Sequence, residues 1–213
     1  MKQYSIFIIC ACLTLVGCGN TVKEEIGYGE IKNNIYSNQY FKLKITFPEK
    51  WVVQNREALK AQANLGNELI AGKDKNLKAK LNAYAKQSLS LFTVFQFETG
   101  TPVSYNPNIV CAAEKMTHMP GVKRGKDYFF HLKKILESGQ LKVEFPSDSY
   151  EKKISDVSFD SLDILIKIGD TTIKQTYFAA RIKNYILLFA ISYMEENEKE
   201  QLINIMKTIK FNK

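Results

Sequence analysis

The narrowest constraint on the fold is the nonapeptide YILLFAISY, Tyr185 to Tyr193, which is apolar at almost every position on both of its alternating faces. A strand with one wet face alternates apolar and polar side chains, whereas a continuous apolar run has to be covered on both sides. Two further strand-like segments precede it, SLDILIKI and IKQTYFAARI, separated by GDTT and followed by KN, spacers short enough for tight hairpins. The last third therefore predicts a three-stranded meander inside a layered domain, with helices flanking the sheet front and back. Residues 195–209 supply part of that cover through Leu202, Ile205, Met206 and Ile209. Glu195, Glu196 and Glu198 open this helix and Lys207 and Lys210 close it, as the helix dipole favours.

Upstream, residues 35–47 place Phe41, Leu43, Ile45 and Phe47 on one face and Lys42, Lys44 and Thr46 on the other, a strand with one wet face that ends at Pro48. Trp51, Val52 and Val53 begin another extended piece. Residues 56–87 carry Leu59, Ala63, Ile70, Leu77, Leu81 and Tyr84 at helical spacings, which predicts two helices broken near Gly72. Lys73, Lys75, Lys78, Lys80 and Lys86 stand there against Asp74 and read as a solvated basic face. Residues 89–98 and 108–116 read as paired strands. A helix then shows Tyr128, Leu132, Ile135 and Leu136 on one face, with Gly139 as its stop, before the extended LKVEF.

The amino terminus has a different logic. MKQYS carries one lysine and is followed by the apolar run IFIICACLTLV, the layout of a secretory signal. A spanning helix needs roughly 20 apolar residues, and here Gly19, Asn20, Thr21 and Lys23 follow at once. Leu15, Val16, Gly17 and Cys18 resemble the lipobox of bacterial lipoproteins at every position. In that family the cysteine sulfur receives a diacylglycerol and the chain is cut before it. One acyl chain holds a protein to a bilayer only marginally and two or more hold it firmly. The expected organisation is a signal peptide over 1–17, lipidated Cys18 with a flexible tether over 18–34, and a single domain over 35–213.

Processing leaves 196 residues, enough for one compact core. Cys10 and Cys12 leave with the signal and Cys18 is consumed by lipid, so Cys111 stands alone and no internal disulfide is available. Its setting, NIVCAA, predicts a small buried hydrophobe rather than a reactive thiol. The processed chain carries 29 basic against 22 acidic residues, a net +7. Outside the cytoplasm that balance favours phospholipid headgroups or envelope polymers, and no nucleic-acid motif argues otherwise.

Chemistry-bearing residues are sparse. His131 follows Asp127 by four residues on a predicted helix and reads as half of a surface ion pair. Met116, His118 and Met119 cluster in a predicted loop, where thioether and imidazole suit copper(I), although methionine also fills cores and no repeated Met motif is present. Asp156, Asp160 and Asp163 fall before a strand and are expected to be solvated. GxSxG, HExxH, Walker and paired CxxC motifs are all missing. These residues predict no catalytic site and no cofactor.

Three segments together, NQYFKLKITFPEKW, NPNIVCAAEKM with GVKRGKDYFFHLKKIL, and YFAARIKNYILLFAISYMEENEKEQLINIMKTIKF, resemble a bacterial PsbP-like lipoprotein. The resemblance spans about residues 35–211 and rests on structural signatures such as Phe47-Pro48-x-x-Trp51. It implies an α+β fold, a three-layer α/β/α sandwich around a mainly antiparallel sheet, shared with the extrinsic PsbP subunit of photosystem II and a Ran-binding nuclear-transport factor. It also implies a non-catalytic binding or assembly module with a protein partner in the cell envelope, held to membrane lipid through Cys18. In a host with two membranes the outer one is expected, because Gly19 stands where an inner-membrane retention signal has Asp. An extracytoplasmic metal or small-ligand carrier is the alternative, followed by a hydrolase with a dispersed site.

Overall fold

The computed structural model describes residues 25–212, so Leu15, Val16, Gly17 and Cys18 lie outside the described residues. In chain order the elements are β1 (Glu30–Lys32), β2 (Ile35–Asn38), β3 (Leu43–Thr46), β4 (Val52–Val53), α1 (Arg56–Ala71), α2 (Lys75–Ala85), β5 (Ser88–Phe95) and β6 (Asn108–Lys115). There follow α3 (Gly125–Ser138), β7 (Lys142–Glu144), β8 (Tyr150–Ile154), β9 (Val157–Ile168), β10 (Thr171–Ile182), β11 (Tyr185–Tyr193), α4 (Glu196–Met206) and β12 (Lys210–Phe211).

The main sheet runs β4-β5-β6-β11-β10-β9-β7, with β8 also on β9, and its pairs are antiparallel. Its centre is β11, buried at all nine positions. The meander predicted from sequence is present: Ile182 pairs with Tyr185 across Lys183-Asn184, and Ile168 with Thr171 across Gly169-Asp170.

Both faces of that sheet are covered, by different means. Against one face α1, α2 and α3 deliver Ile70, Leu77, Leu81, Tyr128, Phe129, Leu132 and Leu136 onto Val110, Ile164, Tyr177, Ile186 and Leu188. The other face carries Phe92, Cys111, Phe178, Leu187 and Phe189, and its cover is only partly helical. Leu202, Ile205 and Met206 of α4 meet it, joined by Tyr36, Phe41, Leu43 and Ile45 from a second, four-stranded sheet ordered β1-β2-β3-β12. Helices lie on both faces, as expected, and what the sequence analysis did not anticipate is the amphipathic sheet that shares the cover of this face with α4.

Two further expectations change. The strand predicted over 35–47 is a hairpin: Asn38 Oδ1 accepts from Phe41 N at 3.2 Å, Lys42 N donates to Gln39 O at 3.2 Å, and Lys42 turns the chain with φ +51°. The period-two pattern survives in its second half, where Phe41, Leu43, Ile45 and Phe47 are buried. The tether expected over 18–34 belongs to the domain from Glu25 onward. Ile26 is buried in the core, Asn38 Nδ2 donates to the carbonyls of Ile26 and Gly27 at 3.3 Å, and Tyr36 OH donates to Tyr28 O at 2.9 Å. Strand β1 then pairs with β2.

The helices begin and end where local chemistry directs. Asn55 Oδ1 accepts from Ala58 N at the start of α1, and Asp74 Oδ1 accepts from Asn76 N and Leu77 N at the start of α2. Gly72 closes α1 at φ +53°. The lysines of α2 and its flanks are exposed, as the solvated-face reading expects, and Lys78 meets Glu68 at 3.4 Å. The start of α3 is set by steric closeness: a Cβ on Gly125 would collide with the backbone carbonyl of Ala179 in β10. Gly125→Ala is expected to destabilise the fold by about 1–3 kcal/mol, read as a lower urea midpoint. Gly121→Ala, which meets open space, serves as the near-neutral control.

Candidate functional site

Along β6, Val110, Ala112 and Glu114 share the face turned to the helices, since alternate residues of a strand point the same way. Glu114 is thus a carboxyl group inside an apolar layer, 6% exposed. Tyr128 OH, from the apolar face of α3, donates to its Oε2 at 3.0 Å. His118, four residues on, brings Nε2 to 3.8 Å from Oε1 and tilts its ring against Tyr84 of α2 at 6.1 Å. His131 lines the same cleft with Tyr84, Glu114, Met119, Tyr128, Leu132 and Ile135. His118 therefore approaches the buried acid, and His131 lines the cleft beside it.

Burial dominates the electrostatics. It pushes the Glu114 carboxyl up to about 7, against the smaller opposing effect of the Tyr128 hydroxyl. Burial also lowers the pKa of His118. Burial thus disfavours the ionised form of each partner across their 3.8 Å approach. The cleft offers about 10 Å³ to the centre of a water molecule, room for about one water. It can hold and exchange a proton near neutral pH, and it does not enclose an organic substrate.

The sequence-predicted residues are only partly brought together. Met119 lines the cleft and His118 reaches Glu114, but Met116 is buried in the helix-side core, where its N–H donates to Asn184 O at 2.8 Å. Among the described residues no group of three or more His, Cys, Asp and Glu side chains is arranged to hold a metal ion. Asp127 does not serve His131: its Oδ2 accepts from Lys123 N at 2.8 Å and Arg124 N at 3.1 Å, capping α3. The expectation of solvated acids before the last meander is corrected at Asp160, which lies inside β9. Asp160 grips the Arg124 guanidinium and accepts from Lys126 N at 2.9 Å, while Asp163 accepts from Thr176 Oγ1 at 2.6 Å. Cys111 is fully buried, and burial raises its thiol pKa, so it is the core hydrophobe its context predicts.

Sequence reasoning overlooked Glu114 because AAEK reads as the polar end of a strand. The available signal was its parity with Val110 and Ala112, which places a carboxyl on the face that Tyr128 must also occupy.

No protein-family model matches the chain, and no curated protein sequence does. Solved structures do. The solution structure of cyanobacterial PsbP (CyanoP) from Synechocystis sp. PCC 6803 superposes with a TM-score of 0.52 at 9% identity, over 86% of this chain and 96% of that one. The chain has the PsbP-like fold. Looser similarities reach the Ran-binding protein Mog1p of Saccharomyces cerevisiae, with TM-score 0.43 at 8% identity over 85% of this chain and 96% of that one. LpqN of Mycobacterium tuberculosis, described as involved in cell envelope biogenesis, gives 0.39 at 10% over 78% and 82%.

For a carboxyl whose folded pKa lies above the ordinary value of 4.5, stability is fully present below that value and is lost as pH climbs through about 7. Glu114→Gln keeps an acceptor for Tyr128 without the charge, so its advantage over the parent should grow across that window to on the order of 3 kcal/mol by pH 8. His118 acts oppositely: its lowered pKa removes stability as pH falls below the ordinary imidazole value of 6.5. Urea midpoints between pH 5 and 8 test both, and parallel curves for the parent and Glu114→Gln would refute the assignment to Glu114.

Proposed function

We propose that this protein is a cell-envelope lipoprotein whose PsbP-like domain is a non-catalytic binding or assembly module for a protein partner. The observation that carries the reading is the lipobox-like sequence Leu15 to Cys18, whose cysteine stands seven residues before the first described residue, Glu25. Acylated Cys18 is the membrane attachment, and the outer membrane is its location in a host that has two. Among the described residues no helix is long and apolar enough to cross a membrane. The polar residues also support a module without chemistry: Asp160 and Asp163 are spent on internal contacts, Cys111 is sealed, and the cleft at Glu114 admits little more than water.

A second reading, a metal carrier, is favoured by one observation, the arrival of His118 and Met119 beside Glu114. Titration with copper or calcium separates the two: a carrier gains melting temperature at saturating metal, and the binding module is expected to gain none.

Cys18→Ala is expected to leave the precursor unprocessed or to release the protein from the membrane fraction, read by mass of the amino-terminal peptide and by fractionation. Normal processing with unchanged membrane retention would sink the anchor. Crosslinking of intact cells expressing the tagged protein is expected to recover one stoichiometric envelope protein.

A further inference from the structure

The chain enters the described fold at one end of the main sheet, and the charge of that end is distinctive. Glu25 is held there by Lys115 at the close of β6, 2.6 Å from Nζ to Oε2. Tyr185, at the start of β11, is paired with Lys115. The turns at the same end are those of residues 39–42, 155–156 and 183–184, and Lys183 ties two of them together by donating to Tyr40 O at 3.1 Å. The end of α2 joins them through Lys115 N to Gln87 O at 2.8 Å, and Arg181 binds the Val122 carbonyl of the loop before α3.

Lys42, Lys86, Lys123, Lys153 and Lys183 are all exposed around this end. The acids nearby are already engaged: Glu25 by Lys115, Asp127 at the start of α3, Asp160 by Arg124, and the exposed Glu151 3.7 Å from the same Arg124. Asp156 alone among the described acids of these turns is an exposed countercharge. Lys42 and Lys183 sit at φ +51° and +55°, a backbone region that glycine or asparagine adopts at lower cost. At the opposite end of the strands the exposed acids Glu49, Glu98, Asp170, Glu195, Glu196 and Glu200 outnumber the exposed Lys50 and Lys142, and Lys174 and Lys199 are both drawn to Glu196. The domain is thus electrically polar along its strand axis, positive where the chain enters.

We propose that this basic end is a docking face for an anionic phospholipid surface, oriented toward the bilayer by the acylated cysteine. The proposal rests on the lipid-anchored reading above. Seven residues from Cys18 to Glu25 reach at most about 25 Å, so Glu25 and the turns beside it are the part of the domain kept nearest the bilayer. Clustered lysines close to anionic lipid gain attraction that vanishes within a Debye length, so docking and stand-off are distinguishable states.

The test uses the full lipidated protein in vesicles, with a fluorophore on Asn184→Cys at the basic end or Asp170→Cys at the acidic end. Cys111 is buried and takes no label. In phosphatidylcholine containing phosphatidylglycerol, a headgroup-attached quencher is expected to quench the label at 184 several-fold more than the label at 170. The difference should collapse at high salt, in pure phosphatidylcholine, and with Lys42→Glu plus Lys183→Glu, whose docked-to-undocked ratio should fall at least about tenfold. Equal quenching of the two labels in anionic vesicles, or the same bias in neutral vesicles, overturns the docking face, including the case in which the basic end serves a protein instead. The mass of the amino-terminal peptide separates the readings: a lipidated Cys18 with equal quenching refutes docking alone, and an unmodified Cys18 refutes anchor and docking together.

Discussion

The structure depends on the two-sided burial of β11. All nine of its residues are removed from water, and each large aliphatic or aromatic side chain so buried contributes roughly 1.5–3 kcal/mol. Neither face can be left open without losing about half of that. The three helices before and beside the sheet roof one face, while α4 and the small sheet share the other. β12 then closes the small sheet against β3, Phe211 opposite Leu43 and Lys210 opposite Lys44, so the last residues described are tied back to the first hairpin.

Polar groups inside this core are placed where they fix geometry. Tyr105 and Ser192 share a hydrogen bond, Gln175 Nε2 donates to Ser192 Oγ at 3.2 Å, and Tyr177 OH donates to Gln175 Oε1 at 2.9 Å, pinning β10, β11 and the loop before β6 into one register. A buried network of this kind is costly if half-made and specific when complete. Asp160 does the same for α3, binding Arg124 and the backbone of Lys126 at the place where Gly125 lets the helix touch β10. Glu114 differs because burial leaves its proton loosely decided near neutral pH and both histidines stand beside it.

The amino-terminal strap links fold to function. Ile26 in the core and Lys115 on Glu25 make residues 25–34 part of the domain, so that under the lipid-anchor proposal seven positions, from Cys18 to Glu25, separate the anchor from the fold. A tether running to residue 34 would have let every face reach the bilayer or a partner equally. Under the docking proposal the shorter span favours the lysine-rich end for the bilayer and turns the acidic end, with α4, away from it.

Much of the fold was legible in local pattern. Period-two and period-3.6 spacing located β5, β6, β9, β10, β11 and the four helices, because each of these elements buries one face, or both, and its sequence must show it. The unbroken apolarity of 185–193 demanded a layered domain, and the lipobox-like Leu15 to Cys18 is a pattern of the sequence alone, outside the described residues. Tertiary structure decided what local pattern cannot encode. That a sheet helps roof one face follows from the width left uncovered by α4, and the docking of 25–34 follows from a core site for Ile26 that exists only once β2 has folded. Glu114, His118 and His131 converge only after β6 and α3 are brought face to face, 14 and 17 residues after Glu114 for Tyr128 and His131. The basic end exists for the same reason: its lysines are scattered from 42 to 183 in the chain, and only antiparallel pairing turns them to one side.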